Sequence, residues 1–394
     1  MKKILFVIPT LRMGGAEKAL ISLLNSLDPK QLEVDLFLFE QGGILQNQIP
    51  PWVNLLPEEP VIRAMTLEFR FYWKDLIRLR HFGAAAARLR VKLQGSVCDR
   101  LHGTPNFSWK TTSKYIRKQD TPYDVAISFL EGTTAFYVID KVSARKKIGW
   151  IHTDFKQHLC SADELVYYRK FDELVTISDA CKISLLNQIS IEPSRVHVIA
   201  NITVPEFVLS AAMYPLDQPW TAQRKHLLTV ARLEQQKGID LALEACKKLS
   251  QTRTDFQWHI LGDGSMRQWL EREISAAQLE PWLKLEGVKS NPYPYMKAAF
   301  AIVQPSRTEG KSIVLDEAKI LGKAILTTNY PSVSDQLINE QNGLIVDINA
   351  NAIAFGVERM LDDAELVARL ENNCSSVLSG EAQLKSLGAF YGIL

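Results

Sequence analysis

The chain has 394 residues, 46% hydrophobic and 23% charged, with 46 Lys/Arg against 44 Asp/Glu and a net charge of +2. These proportions fit a soluble globular protein of two domains, each roughly 200 residues, and exclude a low-complexity or fibrous chain. No run reaches the ~18 apolar residues of a spanning helix, and the five cysteines (98, 160, 181, 246, 374) form no CxxC and no metal-ligand pattern with histidine, so a reduced, intracellular protein without structural zinc is expected.

In chain order, "MKKILFVIPTL" opens like a secretory leader, but its apolar run is short and no small-residue cleavage site follows. It is read as a first strand over 4–8, followed by a helix over 16–27 and strands over 33–39, 124–130, 146–152, 173–178 and 195–200. Residues 204–225 contain three prolines and little periodicity and are read as a linker. The same alternation then restarts, with strands over 226–231, 256–262, 283–288, 299–304, 323–328 and 343–346, a helix from Asp240, and helical sequence over 351–394. Short apolar runs alternating with helical periodicity predict an α/β protein with two doubly wound parallel-sheet domains. The expected bounds are 1–203 for the first domain, 226–375 for the second, and 376–394 for a helical tail with the option of crossing back to the first.

In open parallel sheets ligands sit beyond the carboxyl ends of the strands. After the first strand, Gly14 and Gly15 precede a helix whose N–H groups suit an anion, although an ordinary turn has the same appearance. The loop is not GxGxxG, yet Glu40 at the end of the next strand imitates the ribose-binding acid of a nicotinamide site. In "VARLEQQKGID" (230–240), Arg232 leaves the strand tip and Lys237 precedes the glycine opening a helix, a pair able to clamp a diphosphate or simply to face water. In "SRTEGKSIVLDE" (306–317), Ser312 is expected to cap a helix, leaving the N–H groups from Lys311 to Leu315, including those of Ile313 and Val314, directed at a ligand. Glu309 falls in the loop and Glu317 inside the helix. His152, with Asp154, and Glu131, with Gly132, end two strands of the first half, where either a structural or a functional role fits.

"GGAEK", "TVARLEQQKGID", "HILGDG", "EGKSIVLDEA" and "NYPSVSDQLINEQNGLIV" together resemble the retaining, nucleotide-sugar-dependent glycosyltransferases of family 4. The resemblance covers essentially the whole chain and is softer between 41 and 120. It implies the GT-B architecture, two Rossmann-like domains facing a central cleft, the first for the acceptor and the second for the donor. By the resemblance, Arg232 and Lys237 hold the donor diphosphate, Gly15 packs against the phosphates, Glu309 contacts the transferred sugar, Glu317 binds the ribose, and His152 touches the sugar near the reaction centre. The turn 287–291, with Val288, would hold the base through backbone groups. Many members carry an apolar residue after the Glu-Gly pair; here it is Lys311, whose charge could serve the phosphate or alter sugar choice. With no DxD-like pair at a strand end, metal-independent transfer without a cofactor is expected.

Residues 61–118 hold thirteen Lys/Arg against Glu68, Asp75 and Asp99, a local charge of +10 that leaves −8 elsewhere. Within it, 67–95 mixes aromatics and arginines in a pattern fitting an amphipathic helix on an anionic membrane, or else a solvated helix at the domain edge. The favoured acceptor is membrane-bound, such as a polyprenyl-diphosphate-linked saccharide in bacterial surface-polysaccharide synthesis. The enzyme would be cytoplasmic and peripheral on the inner face of the membrane, and no nucleic-acid motif is present. A nicotinamide-dependent oxidoreductase and a non-catalytic nucleotide- or carbohydrate-binding protein are the competing readings.

Overall fold

A computed structural model describes residues 1–12, 14–66, 76–78, 80–87, 89, 105–153, 155, 162–375 and 380–394. Two compact units emerge, Met1–Ile202 with Ser386–Leu394, and Thr203–Lys385.

The first unit contains β1 (Lys2–Ile8), β2 (Leu32–Leu38), β3 (Asn54–Leu55), β4 (Tyr123–Ser128), β5 (Ala144–Ile151), β6 (Glu173–Thr176) and β7 (Val196–Val198). They form one sheet in the order β3-β2-β1-β4-β5-β6-β7, with every pair parallel. Ile4, Leu5, Phe6, Val7 and Ile8 are all buried, as a parallel strand covered on both faces requires. The helix Gly380–Ile393 ends in this unit: Phe390 stacks on Phe6 at 6.1 Å and lies 6.0 Å from Trp150. Its last turn is pinned further, because the Asp28 N–H donates to Tyr391 Oη at 2.9 Å and Lys146 Nζ donates to the Ile393 carbonyl at 2.7 Å.

The second unit contains β8 (Lys225–Val230), β9 (Phe256–Leu261), β10 (Leu283–Gly287), β11 (Ala301–Gln304), β12 (Ala324–Thr328) and β13 (Leu344–Val346). Its order is β10-β9-β8-β11-β12-β13, again all parallel. Trp258 anchors its core, fully buried, with its indole N–H donating to Thr229 Oγ1 at 3.0 Å. In both sheets the strand order reverses once, at β1/β4 and at β8/β11, and such a reversal opens a crevice at the carboxyl ends.

Residues 204–225 depart from the expected linker. Pro205 sits in the first turn of a helix, Pro205–Ala211, where its missing N–H costs nothing. Val208 and Ala212 are buried in the second unit's core, and Trp220 stacks on His226 at 4.9 Å and His259 at 4.2 Å. The segment is therefore part of the second unit. Most of the basic stretch 67–95, with Arg88 and Arg90, lies outside the described residues. Within 76–89, Leu76, Ala84 and Ala87 are buried, while Ile77, Arg78, Arg80, Phe82 and Leu89 are exposed.

Candidate functional site

The loops following β8, β9 and β11 are packed against one another by backbone. Gly238 has φ +65°, and a Cβ there would overlap the Pro305 carbonyl. Gly262, at φ +144°, stands equally close to the Ala231 carbonyl. Only glycine permits both approaches. These contacts bring the turn Gln235–Lys237, after β8, against the loop after β11, so that Lys237 Nζ lies 2.7 Å from Glu309 Oε1 and 2.6 Å from Oε2.

Glu309 is held from several directions. Gln304 Nε2 and Ser306 Oγ each donate to Oε1 at 2.7 Å, and Ser332 Oγ donates to the Glu309 carbonyl at 2.8 Å. Only 8% of the residue is exposed. A buried carboxylate demands such a set of donors. Arg232 is exposed at the end of β8. Beside it, Glu234 accepts from Ser265 N at 3.0 Å and Ser265 Oγ at 2.7 Å, bonds that hold its carboxyl below the usual range and tie the β8 and β9 loops together.

Ser312 occupies the N-cap position of the helix Ile313–Ile320, but its hydroxyl makes no cap bond. It donates instead to Gln304 Oε1 at 2.8 Å, and the Ser312 peptide is bracketed by Gln336, which accepts from its N–H at 2.7 Å and donates to its carbonyl at 2.8 Å. The expectation that the Ser312 hydroxyl caps the helix and its N–H meets a ligand is thus corrected: both are spent inside the loop. Lys311, whose charge could serve the phosphate or alter sugar choice, pairs its ammonium with the buried carboxylate of Asp316 at 2.9 Å. Asp316 further accepts from Gln336 Nε2 at 3.1 Å and lies 3.7 Å from Lys319. Ile313 and Val314 turn their side chains inward, buried and half-buried respectively.

Glu317 is 1% exposed and accepts from the Tyr293 hydroxyl at 2.8 Å. Burial, seconded by this carboxylate, pushes the Tyr293 hydroxyl's pKa upward. Tyr293 follows directly on the turn 287–291, where Gly287 has φ +71° and Val288 is exposed. The structure therefore puts Glu317 against Tyr293, just past the turn expected to hold a base.

In the first unit, Gly14 caps the helix Gly15–Ser26, and a Cβ on it would overlap the Glu17 carboxylate. The position expected to attract an external anion thus has a carboxylate of the chain folded over it. Glu40, the imitation of a nicotinamide-site acid, pairs with Arg12 at 2.8 Å. At the end of β5, Glu131 accepts from the His152 N–H at 3.2 Å and from Thr153 Oγ1 at 2.6 Å, and Gly132 turns at φ +79° with its N–H on Tyr168 Oη at 3.0 Å. Asp154 lies outside the described residues. The His152 ring packs 4.8 Å from Phe129 and stacks on Trp150 at 6.1 Å, and neither ring nitrogen has a hydrogen-bond partner among the described residues. Burial pushes its pKa down to about 4 against the opposing charge of Glu131, so the imidazole is neutral at physiological pH.

Sequence reasoning missed Gln304, Ser306, Arg307, Gln336 and Tyr293. Gln304 carried a signal, being a polar side chain in an otherwise apolar buried strand. Gln336 carried none, since its role depends on contacts 24 residues away.

Residues 217–376 match the family "Glycosyl transferases group 1". Over 384 residues, 95% of the chain and 94% of the relative, it is 24% identical to the N-acetylgalactosamine-N,N'-diacetylbacillosaminyl-diphospho-undecaprenol 4-alpha-N-acetylgalactosaminyltransferase of Campylobacter jejuni subsp. jejuni. Its fold is that of S. aureus TarM, with a TM-score of 0.68 at 16% identity, covering 99% of this chain and 100% of that one. Anabaena Alr3699/HepE, solved with UDP-glucose, is equally similar, with a TM-score of 0.68 at 16% identity and full coverage of both chains. Both parallel sheets have their counterparts in these GT-B glycosyltransferase structures.

Proposed function

From the match of residues 217–376 to the glycosyl transferases group 1 family, we propose that the protein transfers a hexose or N-acetylhexosamine from a nucleotide diphosphate sugar, with UDP as the nucleotide, to a lipid-linked saccharide. The observation that carries this reading is the cluster of Lys237, Glu309, Gln304 and Ser306 at the strand reversal of the second unit.

Cleaving a glycosyl–phosphate bond builds negative charge on the departing diphosphate and positive charge on the sugar ring. Arg232 and Lys237 meet the first. Lys237 already lies within reach of Glu309, so a diphosphate drawing its ammonium away leaves the Glu309 carboxylate, still held by Gln304 and Ser306, to face the electron-poor sugar. Preorganised groups of this kind need no rearrangement at the moment of reaction. Glu317, beside the 287–291 turn, is assigned to the ribose, with Tyr293 giving way or sharing its bond. His152, neutral and unsatisfied, is assigned to a sugar hydroxyl, which it can serve as donor or acceptor.

The reaction is assigned retention of anomeric configuration, the diphosphate oxygen taking up the acceptor's proton on the same face, and a charge balance met by side chains without a metal. The exposed apolar residues Ile77, Phe82 and Leu89 beside Arg78 and Arg80 support docking on an anionic membrane, each basic residue contributing ~1 kcal/mol near the surface. On this reading the enzyme works at the inner face of the cell membrane in surface-polysaccharide synthesis.

The test is a panel of radiolabelled nucleotide sugars incubated with the protein and extracted bacterial polyprenyl-linked saccharides, with and without EDTA. Label moving into the lipid fraction from one donor, unaffected by EDTA, supports the assignment. Turnover of NAD with no label transferred from any sugar would overturn it.

A further inference from the structure

One side chain ties the Lys237 turn to the Glu309 loop. The Arg307 backbone N–H donates to the Gln236 carbonyl at 2.9 Å. Its guanidinium reaches back to the same turn, Nη1 donating to the Gln235 carbonyl at 2.7 Å, while Nη1 and Nη2 grip Asp240 Oδ1 and Oδ2 at 2.7 Å each. Asp240 stands in the first turn of the helix Ile239–Ser250, immediately beyond Gly238. Lys237 is thereby bracketed on both sides, by Gln235 and Gln236 before it and Asp240 after it. All of these bonds come from a residue two positions ahead of Glu309.

A forked guanidinium–carboxylate pair fixes tilt as well as distance, which a point charge does not. A half-exposed ion pair of this kind adds little to overall stability, and Arg307 itself forms no bond to Lys237 or Glu309. Two of its four bonds go to the turn that carries Lys237 and two to Asp240 in the helix that follows.

We propose that Arg307 is a positioning residue that, through Asp240 and the carbonyls of Gln235 and Gln236, sets where the Lys237 ammonium meets the donor's diphosphate. The inference rests on the donor site proposed above, and the two are separable by experiment. Calorimetric titration with UDP, GDP and ADP is run on the wild type, Arg307→Ala, Arg307→Lys, Asp240→Asn, Lys237→Ala and the double variant Arg307→Ala/Lys237→Ala.

Arg307→Ala is expected to weaken the nucleotide that binds by about tenfold, with the double variant no weaker than Lys237→Ala alone, since coupled residues are not additive. Arg307→Lys retains the charge but not the fork and is expected to bind as poorly as Arg307→Ala, whereas guanidinium ion added to Arg307→Ala restores part of the affinity. Asp240→Asn, which keeps the shape, loses affinity in the same direction and covers the case in which Arg307→Ala fails to fold. Wild-type affinity in Arg307→Ala, or losses that multiply in the double variant, would overturn the proposal while leaving the donor site intact. A wild type that binds none of the three nucleotides would remove the donor site and this role with it.

Discussion

The Lys237 ammonium is shared between both oxygens of the Glu309 carboxylate, at 2.7 and 2.6 Å. The pair joins loops from β8 and β11, 72 residues apart. Of its two members, Lys237 is assigned to the diphosphate and Glu309 to the sugar, so the two roles separate on substitution. Glu309→Ala is expected to lower transfer by about 10²–10³, while UDP affinity holds or improves because Lys237 loses its competing partner. Steady-state transfer and UDP titration on the same variant check both halves, and normal turnover in Glu309→Ala would remove the role assigned to it.

Gly238 gives a test through the backbone. Its left-handed φ of +65° and its contact with the Pro305 carbonyl both penalise a methyl group. The left-handed conformation alone costs an alanine about 1–2 kcal/mol, and the steric conflict adds to it. Gly238→Ala is expected to lower the thermal midpoint and to weaken UDP binding at least tenfold by displacing Lys237. Unchanged UDP affinity would mean that the turn's position does not matter to the ligand.

His152 ties stability to pH. Its folded-state pKa is lowered to about 4 by burial, below the ~6.5 of an unfolded histidine. The unfolded chain therefore binds the proton more readily, and stability is complete above about pH 6.5 and falls as pH drops toward 4. The span is worth up to about 3 kcal/mol. Denaturant titrations at pH 7.5 and pH 4.5 should show wild type losing more stability than His152→Asn by an amount of this order, and equal losses would contradict a buried neutral ring.

Phe390 tests the docking of the last helix. Fully buried between Phe6 and Trp150, it is expected to cost about 3–5 kcal/mol when cut to alanine. Loss of the first unit's melting transition at a lower temperature checks this, and a change under 1 kcal/mol would show that the helix contributes little.

The sheets were legible because parallel strands buried on both faces read as apolar runs. Twelve of the thirteen strands among the described residues coincide with such runs to within a few residues, while Asn54–Leu55 is too short to leave a pattern. Residues 204–225 misled because prolines mark both loops and helix starts, and only Val208 and Trp220, packed against the second unit, decide between them. Lys237 and Glu309 stood out in the sequence by their glycine-marked loops at strand ends, and the fold brings their side chains together. The support around them was not: the Ser312 hydroxyl had a local role open to it at the cap, and its bond to Gln304 wins only because the fold brings a buried amide within reach. Lys311 read as a charge for the phosphate or for sugar choice, and its pairing with Asp316 depends on how the loop folds back on the helix.

On the proposed function, a nucleoside diphosphate binds where β8 and β11 part. The most direct test is a crystal of the protein soaked with UDP. Pyrophosphate density is expected within hydrogen-bonding distance of Arg232 and Lys237, with the ribose beside Glu317; a diphosphate bound elsewhere, with Lys237 still closed on Glu309, would remove the donor site.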